Sequence, residues 1–480
     1  MKKHYLSAAC LLAGVAMFSS CSNEDDVING GNNNQPVQTI SLAVANTGDN
    51  FIGTRATAAD RPLYSSEAKQ SIENVKVVIY KLSADLNADE ATITKQMYGA
   101  DKEIVAQKLF TPWMNGGVSS SYNNEASGHG RQASWTLTTD DLIKEEGVYL
   151  AYAVGYNTDN YVSLGAFDAL DKGSLATFPL TVDTKDKVKE IFAGSAIFKV
   201  TNDKKDQVQN PENAWHFNVS LTLHRQVAGA IGYFTNIPTM GNADHAQSVG
   251  STLRLVASAK SQSAVFAGFN SEYTGDPSMD KKVKYVVNGY SEGENKPNAK
   301  FYGSTNDDAY TVYSIELKDW FTEMDKNQDG ILNGEDAWTK AIQGDLNLKS
   351  GSVLGSSFLM PFQFVANKAT FQLQMLDESG EIIRYWNIRL PQGGAGFQSQ
   401  VGQIVTVVDK NGSSKAADAA ESNINYSIVR NHLYTIGARD MGDNPTDPGT
   451  DPDKPQDLNN ETLILKVNDN WEMVNHMDVD

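Results

Sequence analysis

The chain ends in a segment whose alternating pattern is typical of one long, one-sided β-strand. From residue 463 to residue 479 every second position is apolar with two exceptions, and the interleaved positions are mostly polar. A repeat of two places the first set on one face of an extended chain. At about 3.3 Å per residue this strand reaches roughly 55 Å, several times the usual strand length. The apolar positions on this face are Leu463, Leu465, Val467, Trp471, Met473, Met477 and Val479.

This terminal strand is predicted to be detached from the body of its own chain. Residues 441–457 are rich in Pro, Gly and Asp, a composition that stays extended and does not fold. A long apolar strand on such a spacer is prone to aggregate unless a groove receives it. We therefore expect residues 458–480 to act as a donor strand for another molecule. The alternative is that residues 462–479 fold back into their own domain, because about fifteen extended spacer residues at about 3.1 Å each reach far enough.

The N-terminus has the pattern of a bacterial lipoprotein signal peptide. Two lysines precede an apolar run over residues 5–18, which is too short to span a bilayer and is typical of a secretory signal. The run ends in small residues before Cys21, which resembles a lipobox, and an acidic stretch follows. The only other cysteine, Cys10, lies within the predicted signal. We predict residues 1–20 as the signal peptide, Cys21 as the lipidation site and residues 21–36 as a flexible tether.

The net charge and the absence of certain motifs argue against nucleic-acid binding and against an enzyme. The formal net charge of −19 at pH 7 makes nucleic acid or an anionic surface an unsuitable partner. The 7 histidines form no pair at zinc-ligand spacing on a helix, and the G-x-x-x-x-G-K-[ST] pattern of a phosphate-binding loop is absent. We expect a protein that is not an enzyme and needs no organic cofactor.

The body between these ends is predicted to be all-β. Many short strands between Gly, Asn and Asp turns favour antiparallel sandwiches over a parallel sheet. We predict two tandem antiparallel β-sandwich domains, residues 56–216 and residues 217–440. The boundary is placed just before or within residues 217–237, because the stretch 201–214 ahead of it is polar and charged. Among the predicted strands are residues 38–44, 74–82, 147–156, 217–223 and 429–436, and a hairpin that pairs residues 371–375 with residues 382–390.

One loop of the second domain has the spacing of a calcium-binding EF-hand loop. Residues 325–336 place side-chain oxygens at loop positions one, three, five, nine and twelve, a backbone carbonyl at seven and Gly330 at the sharp turn. The pattern resembles the dockerin variant, in which the last ligand is Asp, and helical patterns over residues 318–324 and 335–342 flank it. The alternative is an acidic surface loop. We predict one structural calcium ion, held by Asp325, Asn327, Asp329, Ile331, Asn333 and Asp336.

A small, polar segment after the first predicted strand offers a protease site. Residues 46–60 contain Arg55 followed by Ala56, whereas the next arginine precedes Pro62, whose ring blocks most trypsin-like cleavage. Cleavage at Arg55 would release residues 37–55 and with them the first strand of the N-terminal domain. A donor strand from a second copy would fill the remaining groove by β-strand addition. Such head-to-tail addition does not close, so it yields a filament.

Six motifs carry a resemblance to a known family. They are Cys21 with its acidic follower, the Arg55 loop, residues 221–228 (LTLHRQVA), residues 429–436 (VRNHLYTI), the Pro/Asp spacer, and residues 463–473 (LILKVNDNWEM). In these motifs the chain resembles the Mfa1-type fimbrillins of the Bacteroidales, the shaft subunits of type V pili. The calcium loop is not part of that pattern.

The resemblance implies a fold and a way of assembling. The fold is two transthyretin-like β-sandwich domains, exported as a lipoprotein precursor to the outer membrane. An Arg-specific protease releases the precursor, and strand exchange polymerises it on the cell surface. The implied partners are identical subunits head to tail, with anchor and tip subunits, and the implied role is adhesion and biofilm formation. A shaft subunit is favoured, because an anchor should keep its lipid and a tip needs no donor strand.

A surface glycan-binding lipoprotein with tandem β-sandwich domains is the alternative function. Such a protein should carry exposed aromatic side chains as a platform for sugars. The candidates are Trp135, Trp215, Trp320, Trp338 and Trp386.

Overall fold

A computed structural model of the chain describes most of the predicted body and part of the C-terminal tail. The described residues are 38–44, 74–97, 102–111, 113, 132–138, 140–156, 178–179, 188, 190–201, 215–266, 286–291, 293–303, 308–339, 348–365, 368–389, 404–410, 414–418, 427–439, 453–459 and 463–468. The predicted lipidation site Cys21, the predicted cleavage site at Arg55 and Ala56, and the last part of the tail, residues 469–480, lie outside these ranges.

The described chain is all-β, as predicted. It holds one α-helix, α1 (Glu90–Met97), and two short 3-10 helices, Ala243–His245 and Leu317–Asp319. The strands in chain order are β1 (Gln38–Val44), β2 (Asn74–Leu82), β3 (Glu103–Phe110), β4 (Gln132–Thr136), β5 (Gly147–Tyr156), β6 (Phe178–Pro179), β7 (Phe192–Val200), β8 (Phe217–Arg225), β9 (Ala228–Thr235), β10 (Ile237–Pro238), β11 (Thr252–Ala257), β12 (Ser263–Ala264), β13 (Val286–Val287), β14 (Gly289–Tyr290), β15 (Ala299–Lys300), β16 (Asp308–Glu316), β17 (Ile331–Leu332), β18 (Val353–Leu359), β19 (Phe371–Leu376), β20 (Ile382–Arg389), β21 (Ile404–Val408), β22 (Ser414–Asp418), β23 (Leu433–Ile436), β24 (Ala438–Arg439), β25 (Asp453–Lys454), β26 (Gln456–Asp457) and β27 (Leu463–Asn468).

The first sheet is covered by protein on both faces. Its strand order is β3-β2-β5-β7-β8-β1-β4. Val77 and Ala151 on one face share a hydrophobic cluster with Ile40 of β1, so the sheet curls until its two ends pack together. Val78 on the other face packs in a second cluster that reaches Phe358 of the second sheet. Burial on both faces explains why β5 is apolar at odd and even positions alike.

The second sheet carries the C-terminal half of the chain. Its order is β15-β16-β11-β19-β20-β27-β23-β9-β18, with β26 added along β9. The predicted hairpin forms between β19 and β20, and Gly380 adopts a positive φ of 85° in its turn. The core beneath this sheet includes Leu255, Leu373 and Trp386. Two tail segments, β26 and β27, are therefore members of this sheet.

Strand β8 lies on the first sheet, although the sequence-based boundary at residue 217 assigns it to the second domain. β8 pairs with β7 on one side and with β1 on the other. Its inward side chains Val219, Leu221 and Leu223 belong to the core of the first sheet. The polar stretch 201–214 connects β7 to β8 in the sequence. The division between the two sheets falls between β8 and β9, within the residues 217–237 that the sequence allows for the boundary.

Both strands near the chain ends depart from the predicted antiparallel pattern. β1 pairs in parallel with β8, and β27 pairs in parallel with β20. A parallel pair cannot be closed by a tight hairpin and needs a long connection. Strands at the two ends of the chain meet this condition, because long segments separate each of them from its parallel neighbour in the sequence.

Candidate functional site

Strand β1 is an interior strand of the first sheet and lies next to the edge strand β4. It is paired on one side with β8 in parallel and on the other with β4 in antiparallel. At the middle of the strand Ile40 lies opposite Val219 on one side and Trp135 on the other. Ile40 and Leu42 are 0% and 2% exposed and contribute to the core. Without β1 the sheet would have an open groove with two unpaired strand edges.

Gln38 fixes the beginning of β1 through a buried side-chain amide. Its Nε2 donates to the carbonyls of Ile143 and Trp215, at 2.6 and 2.7 Å, and its Oε1 accepts from the Ile143 amide at 2.8 Å. The side chain is fully buried, so each of these polar atoms needs its partner. Gln38 was expected only as a strand residue. A long amide side chain on the apolar face of a strand is the signal that could have revealed this anchor.

The first part of the predicted donor strand is not detached in the monomer. β27 is inserted between β20 and β23 of its own second sheet, with Leu463 opposite Ile388 and Leu465 opposite Ile436. Leu463 is fully buried in the core of that sheet. Over these residues the chain adopts the fold-back arrangement that was the alternative from the sequence. A one-sided apolar strand gains by burial wherever an open sheet position lies within reach, and its own domain provides one.

The end of the predicted spacer is also held by the body. β25 pairs with β24, and β26 pairs with β9. Leu458 follows directly, is 1% exposed, and accepts a hydrogen bond on its carbonyl from the Trp386 indole at 3.2 Å. The backbone amide of Leu458 donates to the Thr235 carbonyl at 3.0 Å. The Pro, Gly and Asp content of the spacer did not show that residues 453–459 pair with strands of the body.

The positions of β1 and β27 in their sheets are topologically alike. Each strand comes from near one end of the chain, and each lies between one parallel and one antiparallel neighbour. In both sheets the parallel neighbour is the last of a run of antiparallel strands, β8 in one case and β20 in the other. A chain end of suitable sequence can therefore enter either position with the same backbone pairing.

The two body motifs of the family resemblance meet in space between the sheets. Arg225 from the first motif lies 3.5 Å from the Asn431 side-chain oxygen of the second. The Arg225 guanidinium is 1% exposed, pairs with the Glu190 carboxylate at 2.7 Å and lies over the Phe192 ring. Next to it the Asn431 amide donates to the Val227 carbonyl at 2.9 Å. This buried junction links the end of β8, the strand that pairs with β1, to the segment that leads into β23. Glu190 was not predicted, because nothing near it in the sequence marks it as the partner of Arg225.

The predicted calcium loop has the turn of an EF-hand loop but lacks its helices. Gly330 has a φ of 82° and donates its amide to the Asp325 carboxylate at 3.1 Å. Asp336 accepts from two backbone amides, those of Lys326 and Asn333, at 2.8 Å each. Only the 3-10 helix Leu317–Asp319 precedes the loop, and residues 335–339 form turns rather than the predicted helix. The loop instead pairs with β10 through β17, which substitutes for the packing of two helices.

The carboxylates of this loop are engaged in hydrogen bonds within the loop. Asp329 accepts from the side-chain amides of Asn327 and Asn333, at 3.0 and 3.3 Å. Within the described residues no group of three or more His, Cys, Asp or Glu side chains is arranged to hold a metal ion. The donor set is rich in the oxygen ligands that calcium prefers, since two Asn oxygens accompany the acids. Calcium binding here stays a prediction.

The aromatic platform of the glycan-binding alternative is not present among its five candidates. Trp135, Trp320 and Trp386 are buried. Trp215 and Trp338 are half-buried and pack against hydrophobic cores. All five tryptophans therefore serve the interior of the sheets, where large rings contribute most to stability.

A serine in a G-x-S-x-G pattern, Ser291 within residues 289–293, lacks the surroundings of a catalytic nucleophile. Its hydroxyl donates to the Lys260 carbonyl at 3.1 Å and accepts from the Asn295 amide at 2.9 Å. The first two residues of the pattern form the short strand β14, and no helix begins after it in residues 293–303. A nucleophile elbow requires a strand-to-helix turn, so this pattern does not form one.

In the described part of the chain no helix has the length and apolar character needed to cross a membrane.

Comparison with known proteins finds likeness in structure only. No family model matches the chain, and no curated protein matches it in sequence. The chain is similar to the fimbrial anchor protein Mfa2 from Porphyromonas gingivalis, with 9% identity, a TM-score of 0.32, and 90% of this chain and 97% of that one covered. It is similar to the C-terminally truncated tip fimbrial protein Mfa3 from the same organism, with 10% identity, a TM-score of 0.29, and 85% and 97% covered.

A fimbrial assembly protein from Parabacteroides distasonis is a further neighbour, with 11% identity, a TM-score of 0.28, and 83% of this chain and 90% of that one covered. All three neighbours are named as fimbrial proteins.

Proposed function

We propose that this chain is a structural shaft subunit of a surface fimbria that assembles by donor-strand exchange. It is exported as an outer-membrane lipoprotein through Cys21, cut between Arg55 and Ala56, and built on two transthyretin-like sandwiches. One observation carries the proposal. β1 completes the core of the first sheet, yet it is joined to the rest of that sheet in sequence only through residues 45–73, which include Arg55. A single cut there turns a covalent part of the core into a displaceable peptide.

The energetics favour replacement of β1 over a permanently open groove. Full burial of Ile40 and Leu42 is worth about 1.5–3 kcal/mol each. Each backbone hydrogen bond to the neighbouring strands adds about 0.5–1.5 kcal/mol. A cleaved β1 is lost to solution by dilution, whereas the tail of a neighbouring subunit stays tethered. A tail that has entered the groove is therefore held more firmly than the strand it displaces.

The partners follow from this geometry. Each subunit accepts a strand in its first sheet and offers one from its tail, so identical subunits join head to tail and the series does not close. The first and last members of the series have one unused end each, which anchor and tip subunits would occupy. An Arg-specific protease starts the process, and the cell surface is its site.

The test compares cleavage variants of residues 22–480, a chain without Cys21. The unaltered chain and the Arg55→Ala variant are each treated with an Arg-specific protease and run unheated on an SDS gel. We expect a ladder of SDS-resistant multimers whose subunits begin at Ala56, and no ladder from Arg55→Ala. Arg61→Ala is the matched control, and it should assemble like the unaltered chain because Arg61 precedes Pro62. An unaltered chain that is cut before Ala56 yet stays monomeric would refute the proposal.

We also propose that the loop formed by residues 325–336 holds one structural calcium ion. A ligand present at 100 times its Kd stabilises the folded state by about 2.7 kcal/mol. We expect calcium to raise the melting temperature relative to EDTA, and Asp329→Ala to abolish that rise. Asp319→Ala removes the same charge outside the loop and should leave the calcium effect intact. Equal melting temperatures in calcium and EDTA for the unaltered chain would contradict this proposal.

A further inference from the structure

The first part of the C-terminal tail packs within its own subunit. Residues 453–459 and 463–468 are described, with β25 paired to β24 and with β26 and β27 in the second sheet, whereas residues 469–480 lie outside the described chain. In the described part Leu458 and Leu463 are 1% and 0% exposed and share one hydrophobic cluster with Trp386. These two leucines are as deeply buried as Leu255 and Leu373 of the central strands.

Removing β26, Leu458 and β27 from the second sheet would destabilise the domain to which they belong. β20 and β23 would each lose the strand between them, leaving two rows of backbone groups without partners. The Trp386 indole would lose its acceptor on Leu458, and β9 would lose β26. Two large apolar side chains would leave cavities, which cost about 2–5 kcal/mol each for leucine.

We propose that residues 453–459 and 463–468 stay paired within their own subunit in the fibre, and that residues 469–480 alone supply the donor, whose end enters the place of β1 in the next subunit. This inference rests on the proposed function and narrows the predicted donor to its last part. Leu463, Leu465 and Val467 then belong to the root of the donor, and Met477 and Val479 belong to its inserted end. Trp471 and Met473 lie in the stretch that joins the root to that end.

The length of residues 469–480 is sufficient. At about 3.3 Å per residue they extend roughly 40 Å, whereas the 7 residues of β1 extend roughly 23 Å. The remainder can bridge the distance from the root to the acceptor. A donor of this length therefore needs no residue from the second sheet of its own subunit.

The buried amide site of Gln38 predicts the register of the inserted segment. β1 presents an amide, then Ile40, then Leu42 to the core at alternating positions. On the apolar face of the tail the same order, amide then two apolar residues, occurs at Asn475, Met477 and Val479. Asn475 carries the donor and acceptor groups of Gln38 on a side chain one methylene shorter.

The competing register places Trp471 and Met473 at the positions of Ile40 and Leu42. It brings Asp469 to the position of Gln38. An ionised carboxylate accepts hydrogen bonds but donates none, so it cannot bond the two carbonyls that Gln38 satisfies. The parallel direction of β1 along β8 is kept in both registers.

A reversible disulfide between β23 and β27 tests whether β27 must leave its own sheet before subunits can assemble. Ile436 and Leu465 face each other in the antiparallel pair of β23 and β27, at a spacing that a disulfide can bridge. Residues 22–480 contain no cysteine, so an I436C/L465C variant holds a single possible disulfide. A second lock at Thr435 and Lys466, T435C/K466C, covers the case in which the first pair impairs folding.

The expected result is an equal ladder of multimers from oxidised and reduced protein after cleavage at Arg55. A ladder that disappears on oxidation and returns with reductant would show that β27 must leave, and would overturn the inference. If reduced, unlocked protein forms no ladder either, then the proposed function itself fails.

A cross-link between subunits tests the register. Leu42 of β1 faces Ala133 of β4, so Val479→Cys in a donor should form a disulfide with Ala133→Cys in a cleaved acceptor. We expect reductant-sensitive dimers from this pair and none from Met473→Cys with Ala133→Cys. Dimers from Met473→Cys alone, within a normal ladder, would overturn the register while leaving the proposed function in place.

Discussion

Replacing Arg225 with alanine is expected to destabilise the protein by about 3–5 kcal/mol, because it leaves the Glu190 carboxylate buried without its charge partner. The two side chains are 1% and 5% exposed and are joined by hydrogen bonds from two guanidinium nitrogens to one carboxylate oxygen. The substitution also removes the packing of the guanidinium on Phe192 and its contact with Asn431. Urea unfolding followed by circular dichroism, with size exclusion to confirm the monomer, measures the loss.

The matched control for Arg225→Ala is an ion pair at the surface. Lys81 and Glu145 form such a pair with side chains 27% and 71% exposed, and surface pairs contribute about 0–1 kcal/mol. Glu145→Ala should therefore change stability little. In the double variant Glu190→Ala/Arg225→Ala the loss should be smaller than the sum of the single losses, because no unpaired charge remains. A loss below about 1 kcal/mol for Arg225→Ala would contradict the importance of this junction.

Replacing Leu463 with alanine is expected to cost about 2–5 kcal/mol in the monomer, since the side chain is fully buried in the second sheet's core. The same substitution on a detached tail would fall within about 0.5 kcal/mol of zero. The measurement therefore distinguishes the fold-back arrangement from the free donor strand that the spacer predicts. Urea unfolding of the uncleaved chain is the appropriate readout, because no exchange between subunits has begun.

Leu109→Ala provides the matched control for Leu463→Ala. Leu109 lies on β3 and is 49% exposed, so its truncation removes the same atoms from a position that buries much less apolar surface. We expect a loss well below that of Leu463→Ala. Equal, small losses for both variants would place Leu463 outside the core and would remove the basis for a retained root.

Much of the fold was accessible from residue patterns. β2 and β5 coincide with the predicted segments, and the hairpin of β19 and β20 forms around the predicted turn. These elements depend on alternation and on turn residues, which act over a few positions. The predicted helix over residues 335–342 fails for the complementary reason. Its apolar spacing is helical, but residues 335–339 are held in turns by contacts with the loop and with Phe321.

The candidate site was predicted only in part. Gln38–Val44 was identified as a strand, but neither its parallel pairing with β8 nor the three hydrogen bonds of Gln38 follow from its own residues. Glu190 and Leu458 were missed altogether, since each owes its role to a partner far away in the sequence, Arg225 in one case and Trp386 in the other.

The residue pattern alone was enough to indicate the all-β class, a strand at each end of the body, the alternation of the tail and the position of Arg55 between β1 and β2. All of these are local properties of the chain, because alternation, turn chemistry and charge are set by neighbouring residues. The folded chain was needed to show that β8 belongs to the first sheet, that Arg225 and Glu190 pair at the junction, and that β27 lies in the second sheet of its own chain. Strand partners are chosen by which open edge and which core a segment can reach, and that choice depends on the whole fold.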